Sequence, residues 1–208
     1  MNEPSQAGQE FKDLIHKIAP GLKPEGFSKD RQSFYTMHGA NWGLINFQRS
    51  VKSSRVCIIF TINLGVCSGR LFKFSGRRLA KKPAIEDCHW QERLGELLGQ
   101  GDKWWTIEAG ASIERLAPTI CDPLVKRGIP EIQKYLSDES LRDLWLSGAS
   151  PGLNQFERLK YLSVLLKAIG PTESLEPVLN ELLRITEGQM AASTARYHVK
   201  RIRTENPK

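Results

Sequence analysis

The sequence is short of the patterns that announce a chemistry. No apolar run in its 208 residues approaches the roughly 20 that a membrane-crossing helix needs, so no membrane partner is expected. The opening Met1-Asn-Glu-Pro-Ser-Gln lacks a basic segment followed by an apolar one, so it does not read as a secretory signal, and a cytoplasmic location is expected. Cysteine is scarce: Cys57, Cys67, Cys88 and Cys121 lie far apart, with no C-x-x-C pair. Zinc sites draw their ligands in close pairs from turns, so no metal is expected. Cys57 and Cys67 fall on one strand, too far apart along it to bridge each other, and reduced, mostly buried thiols are the expectation. Gly99-Gln-Gly101 lacks the third glycine and the Lys-Ser/Thr of a phosphate loop. There is no string typical of an RNA-recognition motif, no KH loop, no helix-turn-helix signature and no repeat of fixed period. No cofactor and no catalytic residue is assigned.

What the chain does contain is one excellent strand, Arg55 to Ser68. Val56, Ile58, Phe60, Ile62, Leu64 and Val66 share one parity, and Cys57, Ile59, Thr61, Asn63, Gly65 and Cys67 the other. Successive strand residues point to opposite faces, so one face is wholly apolar and the other turns polar toward its end. Two further strands, Gln32–Met37 and Trp42–Val51, precede it across short turns, which favours an antiparallel meander. Ahead of them, Phe11, Leu14, Ile15 and Ile18 at helical spacing predict an amphipathic helix over 8–19, ended by Pro20-Gly21. Residues 88–98 fit either a helix or a strand. With the loop Gly99–Asp102 and the β-prone 103–108 they are read as a hairpin.

From Ser112 the pattern is helical. Ser112 is placed as a cap, Pro118 as a bend, and short helices are expected over 129–135 and 138–146. Asn154 with Glu157 resembles a capping box opening a leucine-rich helix that stops at Gly170-Pro171. A partner helix follows through Leu175–Leu183, with Pro177 tolerable in its first turn, and then a basic helix or frayed tail over 189–203. The fold class is therefore α+β: an N-terminal helix, an antiparallel sheet of about five strands and a helical C-terminal third. Residues 1–149 are taken as the α+β domain and 150–208 as a helical hairpin extension with a basic end.

The net charge of +7 is unevenly spread. Between Gly69 and Ile85 stand Arg70, Lys73, Arg77, Arg78, Lys81 and Lys82 with no acid. A second basic stretch, Arg196, Lys200, Arg201, Arg203 and Lys208, is offset only by Glu205. The rest of the chain is mildly acidic. Such segments attract phosphates or acidic partners, although charge runs are most often solvated faces.

Several strings, taken in order, carry a resemblance: Ile45-Asn-Phe-Gln-Arg-Ser50, Phe60-Thr-Ile-Asn-Leu-Gly-Val66, Asp87-Cys-His-Trp90 through Arg93-Leu-Gly-Glu-Leu97, and Asp102-Lys-Trp-Trp105. Over about residues 9–128 the sequence resembles the domain of unknown function 4304 family of bacterial proteins. The resemblance implies an α+β domain and supports the hairpin over 88–108. It brings no activity, cofactor or catalytic residue, and the basic run looks like a variable part of such a domain.

Three functional expectations follow. The first is a non-catalytic interaction module with an unidentified protein partner, met through a polar sheet face or the basic segment. The second is nucleic-acid binding by Arg70, Lys73, Arg77, Arg78, Lys81 and Lys82, with Trp104-Trp105 as a stacking candidate weighed against core packing. The third is an enzyme acting on a small phosphorylated or acidic ligand. It would use His89 and Arg93 on a face shared with Asn46, Gln48, Thr61 and Asn63, with histidine as base and arginine as anion clamp. A self-satisfied polar network is the plainer account of those six residues.

Overall fold

The computed structural model describes residues 5–76, 82–205 and 207. The chain forms helix α1 (Gln6–Leu22), then β1 (Ser28–Asp30), β2 (Ser33–His38), β3 (Asn41–Arg49) and β4 (Cys57–Cys67). Next come α2 (Gly69–Phe74), β5 (Trp90–Arg93), the one-turn α3 (Leu94–Leu97) and β6 (Trp105–Glu108). Helices α4 (Ile113–Pro123), α5 (Ile129–Lys134), α6 (Asp138–Leu146), α7 (Gln155–Ile169), α8 (Leu175–Thr186) and α9 (Ala192–Thr204) complete it. The fold is α+β, with a six-stranded antiparallel sheet ordered β1-β2-β3-β4-β5 and β6 also paired to β4. None of the described helices is long and apolar enough to cross a membrane.

Two compact units are built from interleaved segments. The first comprises 1–37, 43–65 and 91–134; the second comprises 38–42, 66–90 and 135–208.

In the first unit, β4 sets the core. Ile58, Phe60, Ile62 and Leu64 are all fully buried, as the parity of the sequence requires. Phe60 lies at the centre of an aromatic cluster. Its ring centroid is 5.2 Å from Phe11, 6.1 Å from Phe47 and 5.9 Å from Trp105. Helix α1 supplies Phe11, Leu14, Ile15, Ile18 and Leu22 from one face and packs against α4. Burying each such side chain contributes about 1.5–3 kcal/mol.

Several local expectations are corrected. Helix α1 does not end at Pro20-Gly21 but continues to Leu22, and Lys23 N–H still donates to Ala19 O. Gly21 is there for packing: a Cβ would fall 2.5 Å from Cys121 Sγ. Strand β1 was not legible, because its three residues are all exposed and carry no alternation. The hairpin over 88–108 is replaced by two strands that each pair with β4; β6 sets Ile58 opposite Ile107 and Phe60 opposite Trp105. Between them lies α3, where Gly95 admits the returning chain, since a Cβ would meet Gly101 O at 2.6 Å. Ser112 precedes α4 without a side-chain capping bond, and Pro118 sits inside that helix. Arg31, in the β1–β2 turn, holds φ at 55°. That left-handed conformation costs a non-glycine residue about 1 kcal/mol.

In the second unit, α7 packs on α6 and α8, and α9 packs on both α7 and α8. Leu159, Leu162, Val164, Leu165 and Leu166 are buried, so α7 is covered on most of its circumference. Asn154 caps it by accepting from Glu157 N–H, and Pro177 lies in the first turn of α8. The 189–203 stretch is an ordered helix rather than a frayed tail, because Ala195, His198, Val199 and Ile202 form a buried stripe.

Candidate functional site

The expected polar sheet face is largely a closed network. Thr61 is fully buried and its hydroxyl donates to Lys103 O at 3.0 Å. Asn63 donates to Gln48 Oε1 at 2.8 Å and to Asn46 Oδ1 at 3.5 Å, and Asn46 donates to Ser33 Oγ at 2.9 Å. These amides satisfy one another. Arg93 stands apart from them: it pairs with Asp102 and lies 5.5 Å over the Trp104 ring. Trp104 is half-buried and Trp105 buried, which leaves little open aromatic surface for stacking. His89 belongs to the second unit and Arg93 to the first. The structure thus gathers three of the six candidates, Asn46, Gln48 and Asn63, and gives Thr61 and Arg93 other partners.

Of the basic segment, Arg70 is committed. Its Nε donates to Asp138 Oδ2 at 2.8 Å and its Nη1 to Pro207 O at 2.8 Å. Lys73 and Lys82 are exposed, and Arg77, Arg78 and Lys81 lie outside the described residues. Cys57, Cys67, Cys88 and Cys121 form no disulfide, and burial pushes the Cys88 thiol well above its usual range. Among the described residues no group of three or more His, Cys, Asp or Glu could hold a metal ion.

His89 leads to the site that motif reading missed. A cavity of about 330 Å³ opens in the second unit between three walls. Helix α2 contributes Leu71, Phe72 and Phe74, which the cap at Ser68 sets in place by accepting from Leu71 N–H. Residues 86–89 contribute Glu86, Asp87 and His89. Helices α7 and α9 contribute Lys160 and Tyr161 from one, and Tyr197, His198 and Arg201 from the other.

His89 is fixed by structure. Its backbone N–H donates to Val66 O at 2.8 Å, its Nδ1 accepts from Ser68 N–H at 3.0 Å, and its ring meets Tyr161 edge-on at 4.9 Å. Arg201 is also committed, clamping Glu205 through Nε and Nη2 while its guanidinium carbon lies 4.3 Å from the Phe74 ring centroid.

His198 Nε2 lies 2.8 Å from Ser163 Oγ, a serine–histidine contact that does not make a nucleophile. Ser163 is fully buried, and its hydroxyl proton goes to Lys160 O at 2.8 Å. Burial, with Lys160 and Arg201 adding positive charge nearby, lowers the His198 pKa to about 4. A base that weak, beside a hydroxyl already donating elsewhere, is a structural pair.

The same environment gives a pH dependence. His198 has an ordinary pKa of 6.5 when unfolded and about 4 when folded, so between these values the unfolded chain binds the extra proton. Stability is unaffected above the upper value and falls as pH drops toward the lower one. Between about pH 7 and pH 5 the loss should be roughly 2 kcal/mol in urea-denaturation free energy. His198→Gln should remove most of that difference, and an unchanged pH slope would refute the assignment.

Lys160 is an uncommitted charge of this cavity among the described residues. It is half-buried, and its ammonium lies 4.9 Å from the Tyr161 ring and 5.5 Å from the Phe156 ring. Desolvation pushes its pKa below the usual lysine range, opposed by the Glu157 carboxylate. No carboxylate reaches ion-pair distance of its Nζ among the described residues. No spacing rule flagged Lys160 or His198, because they stand far apart in sequence, on a leucine-rich helix and in a basic terminal stretch.

Comparison with known proteins adds a family. No curated protein and no solved structure matches the chain. The profile described as domain of unknown function (DUF4304) matches residues 18–134, more than half of the chain. That stretch holds the six strands and the first two walls of the cavity, and stops short of α7 and α9. The chain belongs to the domain of unknown function 4304 family.

Proposed function

We propose that this protein is a non-catalytic binding module whose second unit takes a small acidic ligand with a flat or apolar body. One observation carries the reading: Lys160 lines the cavity as a half-buried cation with no carboxylate at ion-pair distance among the described residues. A partly desolvated ammonium is costly unless it meets an anion, and a ligand carboxylate, sulfonate or phosphate would supply one. The rings of Phe72, Phe74, Tyr161 and Tyr197 offer apolar and π surface for the rest of such a molecule. The Ser163–His198 pair, with its proton already placed, supports binding over catalysis.

Anilinonaphthalenesulfonate, an anion on an aromatic body, is a suitable probe. Its fluorescence titration should show saturable binding by the folded protein. Lys160→Met should weaken that binding about tenfold, or about 1.4 kcal/mol, without lowering the unfolding midpoint, and Lys160→Arg should retain it. Equal dye affinity in wild type and Lys160→Met would sink the proposal.

A second reading, with the basic segment holding nucleic acid, is weakened by Arg70, whose charge is taken up by Asp138.

A further inference from the structure

The first unit carries a concavity of its own, rimmed by basic side chains. Lys12 and His16, four apart on α1, share one helix face. Lys29 comes from β1, Arg31 from the β1–β2 turn and Arg49 from the end of β3. Together they line a groove of about 300 Å³ over the buried Phe11. Among the described residues no carboxylate lines this groove. Among the described residues, none of Lys12, Lys29, Arg31 and Arg49 has an acid within ion-pair distance.

The cations show how they manage without acids. Lys29 Nζ lies 3.2 Å from His16 Nε2, so the ammonium donates to a ring nitrogen. The Arg49 guanidinium lies over the Phe11 ring at 5.8 Å. Arg31 occupies a left-handed backbone position that glycine or asparagine would fill with less strain, and its side chain lines the groove. Like charges gathered in one concavity repel each other, and a bound anion relieves that repulsion.

We infer that this groove binds a small soluble ligand carrying two or more phosphoryl groups. Two guanidinium forks match pairs of phosphate oxygens, and the lysines add compact point charges. The count of charges decides between one phosphate and two. A single phosphomonoester carries about −1.5 to −2 at neutral pH. That is about half of what Lys12, Lys29, Arg31 and Arg49 present, whereas two phosphoryl groups come close to matching it. The volume suits a compact anion with a small appended body rather than a long strand. This site is independent of the cavity beside Lys160, and either assignment can fail alone.

The test is isothermal titration of the full chain with inorganic pyrophosphate at low salt, with inorganic phosphate and phosphoinositide-containing vesicles as separate arms. Pyrophosphate should bind about tenfold tighter than phosphate, with affinity declining as salt screens the cations. Arg31→Gly should lose about tenfold in pyrophosphate affinity while its unfolding midpoint stays level or rises, and Arg49→Gln should lose a similar factor. A loss of binding together with a gain in stability is a combination that a purely structural arginine would not produce. Pyrophosphate binding no tighter than phosphate would overturn the inference, as would an Arg31→Gly variant binding like wild type. Binding confined to the vesicles would overturn it in favour of a lipid headgroup.

Discussion

Phe60→Asp should leave the first unit without a folded state. The substitution places a carboxylate where the exposure is zero and where Phe11, Phe47 and Trp105 form the walls. An ionised group there has no partner and a protonated one still lacks hydrogen bonds, so the cost is several kcal/mol beyond the loss of the ring. Truncation alone, as in Phe60→Ala, should cost about 3–5 kcal/mol. A domain stable by about 5–15 kcal/mol can survive that loss but not the added buried charge. Phe60→Leu keeps apolar volume and should cost less than the alanine variant. Amide NMR spectra would decide: well-dispersed signals from the first unit in Phe60→Asp would show that β4 does not organise this core.

Asp138→Ala should be the most damaging polar substitution in the second unit, at about 4 kcal/mol in denaturation free energy. Asp138 opens α6, and its side chain is largely covered. Oδ1 accepts from Ser68 Oγ at 2.7 Å and from Asn41 Nδ2 at 3.2 Å, and Oδ2 accepts from Arg70 Nε at 2.8 Å. Alanine would take the shared carboxylate from a half-buried guanidinium, a buried hydroxyl and a buried amide together, leaving Arg70 with Pro207 O and Asn41 Nδ2 with Leu136 O, and remove a negative charge from a helix N-terminus. Arg70→Met should cost less, because its stem still packs. In the double variant the two losses should fall short of their sum by more than about 1 kcal/mol, since both disrupt one network. Additive losses would show that the carboxylate and the guanidinium act separately.

Much of the architecture could be read from local pattern. The alternation in β4 named Ile58, Phe60, Ile62, Leu64 and Val66 as buried, although Val56 of the same parity is exposed and Thr61, Asn63 and Cys67 of the other parity are buried too; the cap at Asn154 matches a helix that begins where sequence placed it. These features are short-range, so the sequence carries them openly. Strand β1 is too short and too exposed to leave an alternation. Gly95 reads as a weak point in a helix, whereas its use is the close approach of Gly101 and Lys103, which depends on where the chain returns. Of the candidate site only His89 was legible, and for a different role. Lys160, Tyr161 and His198 come together through the packing of α7 against α9, and no spacing within either helix records that meeting. The same holds for the groove beside Arg31, whose five basic residues come from a helix, a turn and two strands. Arg70 makes the opposite point: composition marks it as a free cation, and tertiary structure spends it on Asp138.

The matched family stretch begins at residue 18 and ends at residue 134. Lys12 and His16 precede it, while Lys160, Tyr161 and His198 follow it. Each cavity is therefore lined partly from within that stretch and partly from outside it. Changes confined to the segments outside that stretch can therefore alter the lining of either cavity while leaving the central strand and its apolar face undisturbed.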